Sequence, residues 1–427
     1  MTTPQASTTT AALLPEGVQD NAISLLGRHA ILNEHREIFG YELFGQSSSV
    51  DATVANDAGA LLDALSYTHA DTLLKAKTVF IPCSHAALIG QHLEKKSLSK
   101  AVLQVPPLHN DASVQEIEAY VDIFTPLLRR GLRLAFDHRV LRNTYATWLP
   151  MAGFIKLDMQ AIAVENIEAV VKFVRKHTMA QIIADKVDNE AQFELMQTLD
   201  VKLFQGPWFA KADAVQVRPI RPAQTIVLQL LNLVRNQGST AEIEELLKKD
   251  PTLSFNLLRL INSSGFGLSS EIASFRHAVM ILGLKRLFRW AALLMTTTRT
   301  NASVPAIGQT AVVRGRFMEL LATELLSANE EDVDNAFLVG LFSLLDVMLG
   351  MPLDKALYQV SLPQTVSDTL LHHQGAFAPL LAIVQACEDG SNQALAHAAQ
   401  ELQLSNHKIN CAHLQALAWA DNLTSNT

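Results

Sequence analysis

"FIKLDMQAIAVENIEAVVKFVRKHTMAQIIADKVD", residues 154–188, holds a short apolar run, an amphipathic stretch and a second short apolar run. The outer runs are too short for helices and are bounded by polar residues, which makes them strands. The middle segment has the mixed apolar and charged character of a helix lying on a core. A strand, a helix and a strand in this compass form a βαβ unit, whose strands pair in parallel.

The same alternation extends in both directions. Further strand candidates are "HAILNE", "TVFIPC", "AVLQV", "LRLAFD" and "KLFQGPWF", with "VQEIEAYVDIFTPLLRRG" as another amphipathic helix. About seven strands before residue 212 fit a (β/α) barrel better than an open sheet. "KADAVQVRPIRP", residues 211–222, then breaks the pattern with two prolines, as a domain boundary does. Beyond it the period is helical throughout, in "IVLQLLNLVRNQG", "TAEIEELLKKD", "LSFNLLRLINSSG", "RGRFMELLATELL" and "VDNAFLVGLFSLLDVMLG". Gly238, Gly265 and Gly350 stand where helix C-caps belong, and Ser239 or Thr240 where a helix opens. The expected fold class is α/β plus all-α. Its parts are a tail at 1–21, a barrel at 22–212, a linker at 213–222 and a helical domain at 223–427.

Composition narrows the class. The 427 residues are 49% hydrophobic and 18% charged, with a net charge of −8. Two buried cores suit that balance, and the acidic sign argues against a nucleic-acid surface. No apolar stretch reaches about 18 residues uninterrupted, so no membrane insertion is expected. The tail lacks a basic start and an apolar run and does not read as a signal peptide. Three cysteines, Cys83, Cys387 and Cys411, make neither a disulfide framework nor a metal spacing, and the expected localisation is cytoplasmic.

Read together, the strand ends "GYELF", "FIPCS", "VLQVP", "LAFDH", "FIKLD", "ADKVD" and "LFQGPWF" resemble, in order, those of the EAL domain family. Active members of that family are barrel phosphodiesterases that hydrolyse cyclic di-GMP with two divalent metals. The resemblance covers about residues 25–212. It matches the family's metal-binding glutamate to Glu42, followed by Leu43 in place of alanine. The phosphate-gripping arginine falls on Gln46 or is absent. The asparagine and glutamate ligands fall on Pro82 and Gln104, and the paired aspartates on Asp137 and His138. Lys156, Asp158, Gln205 and Gly206 keep the family pattern. Asp185 and Asp188 stand for two glutamates, one methylene shorter.

Two-metal hydrolysis needs several hard anionic oxygens. Proline offers none, glutamine loses the charge and histidine supplies a borderline nitrogen. The expectation is a degenerate barrel that is not an enzyme and holds no metal or cofactor. Glu42, Asp137, Lys156 and Asp158 are expected to form a buried ion-pair network, with retained binding of a nucleotide or one metal as the weaker reading.

"DPTLSFNLLRLINSSGF" (250–266) with "IASFRHAVMILG" (272–283) resembles the HDOD family, a helical relative of the HD phosphohydrolases. Asp250, Pro251, Asn262, Ser263 and Gly283 carry that signature, and Asp250 before Pro251 also suits a helix start. The His–Asp pair of HD enzymes would fall near Ser343 and Leu344, so this half too is expected to lack a metal site. The whole chain resembles a bacterial two-domain EAL–HDOD signalling protein. That resemblance implies regulation by protein–protein interaction in a cyclic di-GMP-linked pathway of motility or biofilm. The alternatives are a cyclic di-GMP receptor and a weak phosphodiesterase using the remaining EAL site. The expected partners are proteins, with a homodimer left open. The candidate interface is Lys285, Arg286, Arg289 and Trp290 in "LKRLFRW", whose plainer reading is a core helix with a basic edge.

Overall fold

The computed structural model describes residues 25–46, 77–89, 101–210, 222–250, 275–297, 306–325, 330–389 and 402–425, with residues 255, 257, 258 and 398. The tail at 1–21, the linker up to 221, and Pro251, Asn262, Ser263 and Gly265 lie outside them.

Eight strands close a barrel in sequence order: β1 (Leu25–Asn33), β2 (Ile38–Gln46), β3 (Thr78–Pro82), β4 (Ala101–Gln104), β5 (Arg133–Asp137), β6 (Ala152–Asp158), β7 (Gln181–Asp185) and β8 (Leu203–Gln205). Pairing from β2 to β8 is parallel, as the βαβ reading requires. β1 departs from it, running antiparallel to both β2 and β8. The cause is local, because the few residues from 34 to 37 allow a hairpin but no crossover. Asn33 shapes that turn, its side chain accepting from the His35 and Glu37 amides at 2.9 Å each.

Strand alternation and register stack the barrel interior in layers of four side chains from alternate strands. Gly40, Val102, Phe154 and Leu203 form the lowest. Ile31, Phe80, Ala135 and Ile183 fill the next, all at most 1% exposed. Above them the even strands supply Glu42, Gln104, Lys156 and Gln205, and above those the odd strands supply His29, Pro82, Asp137 and Asp185. Two apolar layers thus support two polar ones at the mouth.

Helices α1 (His85–Ile89), α2 (Val114–Arg129), α3 (Val164–His177) and α4 (Glu190–Thr198) accompany the strands. Ser113 and Glu116 form a capping box that starts α2, and Asn189 caps α4. Phe124, Phe136, Tyr145 and Trp148 pack edge-on or tilted between α2 and β5, and the Trp148 indole donates to the Ile117 carbonyl at 2.8 Å.

The second half is helical: α5 (Pro222–Arg235), α6 (Thr240–Lys248), α7 (Phe275–Thr297), α8 (Ala306–Leu325), α9 (Glu330–Phe342), α10 (Leu345–Leu349), α11 (Leu353–Tyr358), α12 (Gln364–His372), α13 (Ala378–Asp389) and α14 (Asn406–Ser425). Ser239 caps α6 with Glu242 in a capping box, and Gly350 ends α10 in the left-handed conformation. After α5 the left-handed residue is Gln237, one position before the expected Gly238. Gly283, with φ of 71°, breaks α7 into two helices. Tyr41, Leu43 and Leu26, on the outer face of β1 and β2, are at most 1% exposed; α13 and α14 pack against β1, and Gln309 of α8 donates to the Tyr41 hydroxyl at 3.4 Å. Among the described residues no helix is long and apolar enough to cross a membrane.

Candidate functional site

The polar layer at the barrel mouth is a closed hydrogen-bonded cluster. The Lys156 ammonium lies 3.1 Å from Glu42 Oε2, 3.3 Å from Asp185 Oδ2 and 3.3 Å from Gln104 Oε1. Gln104 Nε2 donates to Glu42 Oε1 at 2.7 Å, and Gln205 Nε2 donates to Glu42 Oε2. His29 Nδ1 stands 3.8 Å from the same oxygen. Four strands therefore converge on one carboxylate.

Electrostatics follow from this geometry. Burial alone raises the Glu42 pKa, but the Lys156 charge, the neighbouring His29 and the hydrogen bond from Gln205 outweigh it and hold the carboxyl well below its usual range. Burial disfavours the Lys156 ammonium, yet Glu42 and Asp185 overcome it and push that pKa up. Asp185 goes the other way: burial and the Glu42 charge raise its pKa despite Lys156. The cluster thus holds a firm Glu42–Lys156 ion pair and one carboxyl, Asp185, displaced toward protonation.

The network expected from sequence divides in two. Glu42 and Lys156 meet, joined by Asp185. Asp137 and Asp158 do not join them. Asp137 accepts from the Arg139 amide at 2.8 Å and pairs with its guanidinium at 2.5 Å. Asp158 accepts from the Gln160 and Ala161 amides at 2.9 and 3.1 Å and pairs with Lys186 Nζ at 2.6 Å. Each of these aspartates caps the loop that follows its own strand, as short acidic side chains do. Lys186 itself sits at φ of 58°, a left-handed conformation unusual for a long side chain and frequent at functional sites. Arg139 and Lys186 leave two half-exposed cations on the rim.

Pro82 ends β3 beside Gln104 and donates nothing to the layer. His138 lines an open pocket of about 280 Å³ beside the mouth, with Arg139, Leu141, Arg142, Ile162 and Val170. Asp188 is exposed, and the other aspartate of "DKVD", Asp185, is the one in the cluster. The Gln46 side chain lies outside the described residues. Sequence reasoning missed His29, Arg139 and Lys186. The register of β1 against β2 is the signal for His29, which faces Glu42 directly.

The mouth does not fit a pair of divalent ions as arranged. A lysine ammonium occupies the space between Glu42 and Asp185, and the two amides there carry no charge. Among the described residues no group of three or more His, Cys, Asp or Glu side chains stands in metal-holding array.

In the helical half, Asp250 is half-buried at the end of α6. The "LKRLFRW" segment differs from an exposed patch. Trp290 is 5% exposed, and Arg289 is bound to Glu319 at 2.6 Å and lies over the Phe337 ring. Lys285 and Arg286 alone are exposed. An amphipathic helix presents its basic and aromatic residues to different sides, and here the aromatic side faces the core. Ser343 takes a hydrogen bond from Arg314 at 3.0 Å.

Residues 220–360 match the HDOD domain family. Over 414 residues the chain is 24% identical to "Cyclic di-GMP phosphodiesterase CdgJ" of Vibrio cholerae, covering 93% of this chain and 92% of that protein. It is 26% identical over 245 residues to the uncharacterized protein YuxH of Bacillus subtilis, covering 56% of this chain and 59% of that one. Among solved structures, an EAL domain protein of Listeria monocytogenes aligns at 16% identity and a TM-score of 0.32, over 44% of this chain and 87% of its own. The FimX EAL domain of Pseudomonas aeruginosa, bound to c-di-GMP, aligns at 14% identity and a TM-score of 0.34, over 44% and 90%.

The expectation that the chain is not an enzyme is corrected by the Vibrio cholerae protein, which matches nearly end to end and bears a phosphodiesterase name. The chain carries an HDOD domain at residues 220–360, set behind an eight-stranded barrel of the kind the EAL resemblance implies.

Proposed function

We propose that this protein acts in cyclic di-GMP signalling by binding cyclic di-GMP at the barrel mouth and hydrolysing it slowly. The observation that carries the reading is the near full-length match to a protein named as a cyclic di-GMP phosphodiesterase. The mouth adds chemical support. Arg139 and Lys186 place two cations on the rim, where a phosphodiester presents its charge. Below them Lys156 fixes a third positive charge beside Glu42. Asp185, its pKa raised by burial and by Glu42, is the carboxyl best suited to exchange a proton with a reacting oxygen. Only slow turnover is expected, because Pro82 and Gln104 give no anionic oxygen and the Lys156 ammonium stands between Glu42 and Asp185, so the mouth as arranged does not seat a metal pair. In this reading the helical half binds a protein partner, with Lys285 and Arg286 as its exposed basic edge.

The test is chromatography of cyclic di-GMP incubated with the purified full chain and Mg²⁺ or Mn²⁺. Accumulation of the linear dinucleotide, lost in Glu42→Gln, supports the proposal. Binding without product removes its hydrolytic half, and neither binding nor product overturns it.

A further inference from the structure

β1 pairs with β2 along nearly its whole length but meets β8 only through Ile31–Asn33. The first half of β1 therefore has one edge that the barrel does not close. Buried backbone groups on an open edge are costly unless something else pairs them. Side chains of α14 do so. The Leu26 N–H donates to Asn410 Oδ1 at 2.8 Å, and His413 Nδ1 lies 3.2 Å from the Leu26 carbonyl oxygen.

His413 Nε2 stands 3.0 Å from an Arg28 guanidinium nitrogen. One neutral tautomer meets both contacts, with Nδ1–H donating to Leu26 and Nε2 accepting from Arg28. Arg28, 4% exposed, also donates to Glu388 Oε1 at 2.6 Å. Glu388 in turn accepts from Arg314 at 2.7 to 3.1 Å, and Arg314 reaches Ser343. Ser343, just past the end of α9, is thus tied through Arg314 and Glu388 to β1 of the barrel.

Alternation turns the next residue, His29, to the inner face, in register with Glu42 and 3.8 Å from its carboxylate. We infer that the helical half is a working part of the barrel site: Asn410, His413 and Glu388 are positioning residues that fix β1, and through it the hairpin carrying Glu42. This rests on the mouth being the cyclic di-GMP site proposed above. A state change in the helices, such as partner binding, then reaches Glu42 across one strand.

The experiment uses the full chain and the variants Asn410→Ala, Glu388→Gln and Arg28→Lys, the last keeping the charge but not the guanidinium fork. Amide hydrogen exchange is read without ligand, and cyclic di-GMP affinity is read alongside. We expect exchange in residues 38–46 to rise about tenfold in Asn410→Ala and Glu388→Gln, less in Arg28→Lys, with β5 to β7 unchanged. Affinity for cyclic di-GMP should weaken about tenfold in the same two variants. A role confined to holding the helices together would raise exchange in the helices alone and leave 38–46 and affinity as in the wild type, which overturns the inference. The mildest variant, Arg28→Lys, serves if the others do not fold. Faster exchange in 38–46 together with a wild type that ignores cyclic di-GMP would overturn the proposed ligand and keep the positioning role.

Discussion

Replacing Lys156 with methionine keeps most of the side-chain stem and removes the charge that binds Glu42 and Asp185. The three side chains are only 9%, 14% and 17% exposed, and the ammonium lies 3.1 and 3.3 Å from the two carboxylates. Breaking a buried pair by deleting one partner costs about 3–5 kcal/mol, because the remaining charge is left uncompensated. Gln104 and Gln205 still hydrogen-bond Glu42, so the expected loss at pH 7 is at the low end, about 3 kcal/mol.

The loss depends on pH. In the wild type, Glu42 has a folded pKa below its ordinary 4.5. Its contribution is full above that ordinary value and disappears as pH falls through the folded one. Asp185 is raised above its ordinary 3.8, so its ionisation opposes folding as pH rises. Without Lys156 both carboxyls shift upward and take up protons more readily in the folded state. Each unit of upward shift returns about 1.4 kcal/mol once the group is protonated, so the gap to wild type narrows in acid. Urea unfolding of the full chain at pH 5 and pH 8 measures it, with the double variant Lys156→Met/Glu42→Gln expected to lose less than Lys156→Met alone. A Lys156→Met protein within about 0.5 kcal/mol of wild type, or a gap equal at both pH values, refutes the buried ion-pair account.

Asp421, 2% exposed beside Gln309, has its carboxyl pushed up to about 6, mainly by burial. A raised carboxyl takes stability away as pH climbs from its ordinary 3.8 through 6, so Asp421→Asn should flatten that decline and gain roughly 2–3 kcal/mol at pH 7, read from urea midpoints. Gly206 has φ of 145°, and a Cβ there would overlap the Val187 backbone. Gly206→Ala should cost roughly 2 kcal/mol or more and displace Gln205 from Glu42, seen as a lower urea midpoint together with weaker cyclic di-GMP binding. The Cys387 thiol, pushed up to about 12 chiefly by burial, should resist maleimide at pH 8 in folded protein and react on unfolding, followed by mass spectrometry.

The strands from β3 to β8 were legible because short apolar runs bounded by polar residues carry their own signal, as in "TVFIPC" and "IIADKV". Glu42 and Lys156 were legible through the EAL resemblance, whose strand-end motifs they match in "GYELF" and "FIKLD", and strand alternation turns both into the barrel. The hairpin of β1 and β2 was hidden inside the assumption of parallel units, although the short span from Asn33 to Ile38 marks a turn. Asp137 and Asp158 were misplaced because strand alternation aims them at the mouth, while loop amides nearby compete for short carboxylates and win. The tie between Arg28 and Glu388 had no local signal at all: its partners are 360 residues apart and meet only when two halves dock. The "LKRLFRW" segment gives the period of a helix but not which side the core lies on, so sequence leaves Trp290 open between an interface anchor and a core residue, and the structure places it in the core.

Calorimetric titration of the full chain with cyclic di-GMP tests the central claim most directly. A dissociation constant below about 10 μM, weakened at least about tenfold by replacing Arg139 and Lys186 with alanine together, is the predicted result. No heat of binding up to about 1 mM ligand, or an affinity indifferent to both rim cations, would contradict it.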